Sequence, residues 1–522
     1  MLGSCSTEID SSLGQHHGKQ FQIMAFVSLS QTCDWIGLNS NRRHSPIHIL
    51  NNDVLLHVFH LYLLAEPDGY DDESGLIIYW SRRRWWYKLA HVCRLWRNLI
   101  LESPSRLDLH LLCTNGVPVA DMLAHSPPLP LTIDYDWKMR AEDESGILFA
   151  LSHRDRVHRI YFRSLPNVGK FVTVMDDQFP ILERIYIDSW AEDVALPVTF
   201  QAPNLRQLKL VRASLPIGSP LLVTSVALVT LSLFNIPPFV YFPPSYLLTR
   251  LSLMAQLESL VITFNDPHPN RDVEMELRQT LSIAQVTLTN LRRFQFDGAA
   301  TYLEGLVARI SAPSLSIFRV YLHNQLSAGP CLLQFIRASE NLRFSAVRLS
   351  FGALNVYLHG VTRREGVTHR EWDTSLMLGT NCKHLDLQVA YVMQFFGTLS
   401  PMISIVEQVT VNYEKHIYSS QSHNNVDRRQ WRDLLRPFTN AKTIHVQDGL
   451  VSKIFGSLPS DDGESPLELL PNLEEVGYLG GTDAARDAFT TFLNERQVAG
   501  HPVSLRLVDR SMFDDPKGWY TL

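Results

Sequence analysis

Leu205-Arg206-Gln207-Leu208-Lys209-Leu210 reads apolar-x-x-apolar-x-apolar, and this six-residue template returns along most of the chain. It stands as LERIYI at 182–187, LVTLSL at 228–233, LESLVI at 257–262, LRRFQF at 291–296 and LSIFRV at 315–320. Weaker copies are CKHLDL at 382–387, VEQVTV at 406–411, AKTIHV at 441–446 and LEEVGY at 473–478. The six stronger copies start 23, 23, 29, 34 and 24 residues apart. Apolar residues two apart lie on one face of a strand, so each copy predicts a short strand with one face buried. Several copies come after a proline and one further residue, as in FPILERI, APNLRQL, APSLSIF and LPNLEEV.

Helix-like stretches fill the intervals. Residues 299–310 carry Leu303, Leu306, Val307 and Ile310 on one helical face, and 428–438 and 484–498 are also amphipathic. Strand then helix at a period of about 20–35 residues is the pattern of a leucine-rich-repeat solenoid. One strand and one helix cannot bury their shared apolar face alone; stacked neighbours close a continuous core. The repeat is degenerate: its consensus amide, three residues after the last apolar position, is replaced by Ala213 after Leu210 and kept as Asn265 after Ile262. The competing expectation is an ordinary α/β domain whose strands happen to be rich in leucine. The 67-residue interval between the starts of LSIFRV and CKHLDL makes the last third the least regular.

The chain has 522 residues, 45% hydrophobic and 19% charged, which supplies a large core and excludes a wholly disordered chain. Its 47 basic and 53 acidic residues leave a formal charge of −6, too weak and mixed to draw nucleic acid or a membrane surface at long range. Six cysteines, at 5, 33, 93, 113, 331 and 382, form no C-x-x-C pair and no disulfide framework, which predicts a reducing compartment, cytoplasm or nucleus. The longest apolar run, 221–234, is too short for a membrane span, and no secretory signal is evident. Residues 1–45 read as disordered, with Met24 as a second possible start, and 511–522 as a tail.

Between these lies a different texture. Leu50, Val54, Leu55, Val58, Phe59 and Tyr62 recur at helical spacing, which predicts a helix over 47–64 capped by Asn51, Asn52 and Asp53. An acidic loop, EPDGYDDES at 66–74, comes next. A second helix is predicted over 83–101, with Leu89, Val92, Cys93, Trp96, Leu99 and Ile100 on one stripe, ending at Ser103-Pro104. The RRRWWYK run at 82–88 reads better as core aromatics with snorkelling cations than as an RNA platform.

No catalytic constellation emerges. His153-Arg154-Asp155 matches the kinase triplet, but Ile160 stands where the kinase asparagine is required. Gly169-Lys170 lacks the rest of a phosphate-binding loop, and no H-E-x-x-H accompanies His16-His17 or His57 and His60. Neither enzymatic activity, metal nor cofactor is expected.

Leu50–Phe59, LNNDVLLHVF, resembles the first half of an F-box, with Asp53, Val54, Leu55, Val58 and Phe59 at matching places. Leu89–Ile100, LAHVCRLWRNLI, resembles its second half, whose hallmark is carried by Val92, Cys93, Arg94, Trp96 and Arg97. Asn51 stands where the usual pattern has proline, and 66–80 reads as an insertion between the halves. The stretches 106–135 and 151–160 also resemble the segments C-terminal to the F-box in large families of mushroom-forming fungi, F-box proteins with degenerate leucine-rich repeats.

The resemblance implies an α/β chain: a small helical F-box at 46–104, a linker region at 105–165, and an irregular leucine-rich-repeat-like solenoid of strand–helix units at 166–510. It further implies a non-catalytic substrate receptor of an SCF-type ubiquitin ligase, docking on a Skp-family linker and through it a cullin, with an unknown target protein. The alternative is an interaction scaffold outside any ligase. Linker contacts are expected at Leu50, Val54, Leu55, Val58, Phe59, Leu89, Val92, Cys93, Trp96 and Leu99, about half serving only the module's own core, Trp96 foremost. On that reading, charged residues at Leu55 and Phe59 should abolish the complex. Target contacts are expected on the strand positions facing outward: Glu183, Arg184, Tyr186, Arg206, Gln207, Lys209, Arg292, Arg293 and Gln295.

Overall fold

The computed structural model describes residues 50–65, 85–104, 106–114, 118–136, 144–190, 194–237, 241–266, 273, 284–323, 329–363, 372–413, 426–447, 449–459, 465, 467–478 and 483–508. The segments 1–45, 66–80 and 511–522, whose sequences read as disordered, inserted and tail, lie outside them. The chain divides into two units, 1–55 and 56–522.

Sixteen strands of the second unit form one sheet: β1 (Leu111–Thr114), β2 (Leu131–Asp136), β3 (Val157–Leu165), β4 (Arg184–Ser189), β5 (Gln207–Val211), β6 (Thr230–Ile236), β7 (Ser259–Phe264), β8 (Arg293–Gly298), β9 (Ile317–Leu322), β10 (Ala346–Phe351), β11 (Asn355–Arg363), β12 (Trp372–Asn381), β13 (Gln408–Tyr413), β14 (Thr443–Val446), β15 (Glu475–Tyr478) and β16 (Ser504–Leu507). Helices alternate with them: α1 (Asn52–Ala65), α2 (Trp85–Ala90) and α3 (Arg94–Glu102) precede the sheet. Next come α4 (Val119–His125), α5 (Glu144–Ser152), α6 (Gly169–Val172), α7 (Leu221–Thr224), α8 (Pro244–Leu251), α9 (Ala300–Val307), α10 (Pro330–Ala338), α11 (Leu385–Ile403), α12 (Arg428–Leu435), α13 (Val451–Phe455) and α14 (Asp483–Val498). The protein is thus α/β with a large, mostly parallel sheet. Parallel neighbours need a crossover, and a helix supplies most of them among the described residues.

The template residues form the core. Leu205, Leu208 and Leu210 are wholly buried, as are the equivalent Leu228, Leu231, Leu233 and Leu291, Phe294, Phe296. Each rung starts alike. The Glu183 carbonyl accepts from the Arg206 and Gln207 amides, that of Arg206 from Val229 and Thr230, and that of Glu258 from Arg292 and Arg293. An asparagine just before the first apolar position reaches back one rung: Asn204 Nδ2 donates to Pro180 O, Asn290 to Ala255 O, Asn341 to Pro313 O, Asn440 to Ser404 O and Asn472 to Thr439 O, at 2.6–3.0 Å. The tie between turns is therefore an amide before the strand, not after it where the consensus suggested.

The structure corrects three expectations. Residues 105–165, expected to lead into the repeats, contribute β1, β2 and β3 to the same sheet. CKHLDL at 382–387 is not a strand: Leu385 opens α11, where Leu385, Val389, Val392, Phe396, Leu399 and Ile403 are buried at helical spacing. The expected helix over 83–101 is two helices separated by a turn at 91–93. The first helix is capped as expected, with the Asn51 carboxamide accepting from the Val54 amide at 2.8 Å.

The irregular gap after Val320 holds a meander. β11 runs antiparallel to both β10 and β12, and β12, the last, inserts beside β9, so the sheet order is β9-β12-β11-β10-β13. Gly379 of β12 sits between Tyr321 and Tyr357, where a Cβ would lie 2.5 Å from the Tyr357 ring. Among the described residues, no helix is long and apolar enough to cross a membrane, and Cys93, Cys113, Cys331 and Cys382 are free thiols.

Candidate functional site

The helices before the sheet present two kinds of apolar residue. In the first unit Leu50 and Val54 are exposed and Leu55 is buried. In the second, Leu56, Phe59, Leu99 and Ile100 are buried, while Val58, Leu61 and Tyr62 of α1 and Val92 and Leu95 stay open. Val92 is 58% exposed and Leu61 49%, high for branched aliphatic side chains. Along α1, Val58 and Leu61 stand three residues apart, the geometry of one helical face. Leu89, Cys93 and Trp96 are half-buried.

The Val-Cys-Arg-x-Trp-Arg run mostly builds the module itself. Cys93 is extended, and its Sγ accepts from the Trp96 amide, capping α3. Arg97 Nε donates to Ala90 O, tying α3 back to the end of α2. Trp96 stands edge-on to Phe59 with ring centroids 4.8 Å apart. Leu55 and Phe59 are each 1% exposed, so charges there would disrupt the chain's own packing, and substitutions that probe docking belong at Val58 and Leu61 instead.

The second surface is the sheet face opposite the core positions. Arg184, Gln207, Thr230, Ser259, Arg293 and Ile317 form one row across β4 to β9. Tyr186, Lys209, Ser232, Val261, Gln295 and Arg319 form the next, which continues through Met377, His359, Arg348, Thr410 and His445. Six of the nine outward positions expected from the sequence thus share two rows, while Glu183, Arg206 and Arg292 sit just before their strands. Not all are open: Val211, Phe234 and Val261 form a small apolar cluster with Tyr186 against it. The Lys209 ammonium lies over the Tyr186 and Phe234 rings at 5.0 and 5.2 Å. Burial pushes the Tyr186 phenol up to about 12. Gln295 is buried, and its Oε1 accepts from Arg293 Nη2 at 3.2 Å.

Farther along, Arg319, His359 and Arg348 share a row, and burial first, then the two guanidiniums, pushes His359 down to about 3. Sequence reading missed Arg348 and His359 because they lie in the meander, outside the repeated template; Arg319 stands inside it, at the third outward place of LSIFRV. The His153-Arg154-Asp155 triplet is structural: Arg154 pairs with Asp176 at 2.6 Å and also with Asp177. A cavity of about 190 Å³ between α9 and α10 is lined by Val307, Ile310, Cys331 and Phe335, with burial and then Glu304 raising the Cys331 thiol. No protein-family profile matches the chain, and no curated protein matches it.

Proposed function

We propose that this protein is a substrate receptor of an SCF-type cullin–RING ubiquitin ligase. The helical segment at 46–104 docks on a Skp-family linker as an F-box does, and the stacked strand–helix units, a degenerate leucine-rich-repeat solenoid, hold the target on the outward sheet face. The observation that carries this is the open apolar face of α1, with Val92 also open, on a segment whose sequence carries both halves of the F-box pattern. A stripe left open after the helix has packed its other side is surface suited to a partner helix. The receptor makes and breaks no bond itself; it raises the effective concentration of a target lysine near activated ubiquitin.

The test is a double substitution, V58D/L61D, in the full chain co-expressed with a Skp-family linker. Both side chains are about half exposed, so completing their burial contributes roughly 1 kcal/mol each, and losing both weakens binding by at least about 30-fold. The stability of the isolated chain should change by less than about 1 kcal/mol, as expected for surface positions. Unchanged linker affinity in the variant refutes the docking mode. A wild-type chain that recovers no linker or cullin supports a scaffold outside the ligase.

A further inference from the structure

Asp108, His110, His158 and Glu183 converge at the start of the sheet from three separate stretches of the chain. His110 stands just before β1. His158 is the extra residue of a β-bulge, since Leu131 pairs with Val157 and Thr132 with Arg159. Bulges re-aim side chains, and here the re-aimed group is an imidazole. Glu183 precedes β4, and its amide is held by His158 O at 2.9 Å.

The hydrogen bonds assign both tautomers. His110 Nε2 lies 2.7 Å from Asp108 Oδ1. His158 Nε2 lies 3.1 Å from Glu183 Oε2. An ionised carboxylate can only accept, so both Nε2 atoms carry the proton. The two Nδ1 atoms, both bearing lone pairs, then face each other at 3.4 Å across nearly parallel rings. Two acceptors at this distance repel unless a cation joins them. Two imidazole nitrogens at roughly 2.0–2.1 Å from one tetrahedral zinc are themselves about 3.4 Å apart. Each lone pair lies in the plane of its ring, so binding one ion turns both rings out of their parallel stack while the nitrogen separation is kept.

We propose that His110 and His158 bind a borderline divalent cation of the Zn2+ class through their Nδ1 atoms, with Asp108 and Glu183 as the carboxylates that orient the rings. Carboxylate–histidine–metal chains are the usual support for such ligands. Imidazole donors favour Zn2+, Ni2+ or Cu2+ over Ca2+ and Mg2+, which need oxygen ligands. Arg159 is paired with the other Asp108 oxygen at 2.9 Å, which leaves Oδ1 to hold the His110 ring. The remaining coordination positions fall to water or to a donor from a bound partner.

The test is titration of the full chain with Zn2+ by calorimetry, and with Co2+ read by its visible absorption. One equivalent should bind at micromolar concentration. H110N and H158N, each checked for wild-type circular dichroism, should each weaken binding by more than 10-fold. D108N/E183Q, which keeps both ligands, should weaken it by about 10-fold or more, the usual effect of losing such supports. Absence of stoichiometric uptake, or uptake unchanged in both histidine variants, overturns the proposal; the facing nitrogens would then share a proton only.

Discussion

His359 offers a quantitative test of the sheet's outward face. The ring is 6% exposed and lies in register with Arg348 on β10 and, on its other side, Met377, which neighbours Arg319. The Tyr357 ring stands 5.7 Å away. No carboxylate is among the groups that shift it; burial and two guanidiniums all oppose its protonation. The folded value is about 3 against 6.5 for a free imidazole. The unfolded chain therefore binds this proton more readily. The stability is complete above about pH 6.5 and is lost as the pH falls below that, towards the folded value. Between pH 7 and pH 5 this single residue removes about 2 kcal/mol.

His158 and His445 are also depressed, mainly by burial, and act in the same direction, so the wild-type pH dependence alone does not isolate His359. The decisive comparison is urea unfolding of wild type and H359Q at pH 7 and pH 5. Glutamine keeps a polar side chain of similar reach but does not titrate. H359Q should lose about 2 kcal/mol less than wild type over this interval. Equal losses in the two proteins would refute the buried, cation-flanked imidazole.

Two further substitutions probe how the rungs are joined. G379A introduces a Cβ 2.5 Å from the Tyr357 ring and 3.0 Å from that of Tyr321; it should cost about 1–3 kcal/mol in urea unfolding, and clearly less in a Y357A background. N290A removes the side-chain bond to Ala255 O and should cost about 1 kcal/mol by the same measurement, with little change in the denaturant slope.

The helical module was legible from its residue pattern, but the roles within it were not. Spacing put Leu55, Val58 and Phe59 on one apolar stripe, yet Phe59 faces Trp96 while Val58 stays open. Helical periodicity defines an apolar face; only packing decides which part of it is already covered. Similarly, the outward rungs at Arg184, Gln207 and Arg293 came from strand alternation, whereas the cover that Lys209 lays over Tyr186 and Phe234 depends on three adjacent strands. The His110–His158 pair carried no sequence signal, because its members lie 48 residues apart and meet only through a bulge.

By itself the sequence determined the strand template, its recurrence, and hence an α/β chain of strand–helix units. That information is local: apolar residues two apart specify a buried strand face wherever they occur, and intervals of 23 to 34 residues leave room for a crossover. Tertiary structure alone decided that the sheet starts as early as Leu111, that β12 rather than β10 lies beside β9, and that Leu385 opens a helix. These choices turn on which neighbouring edge is free to pair when each strand arrives. A short apolar run carries no record of that edge, since its backbone hydrogen bonds are made with residues far away in the chain.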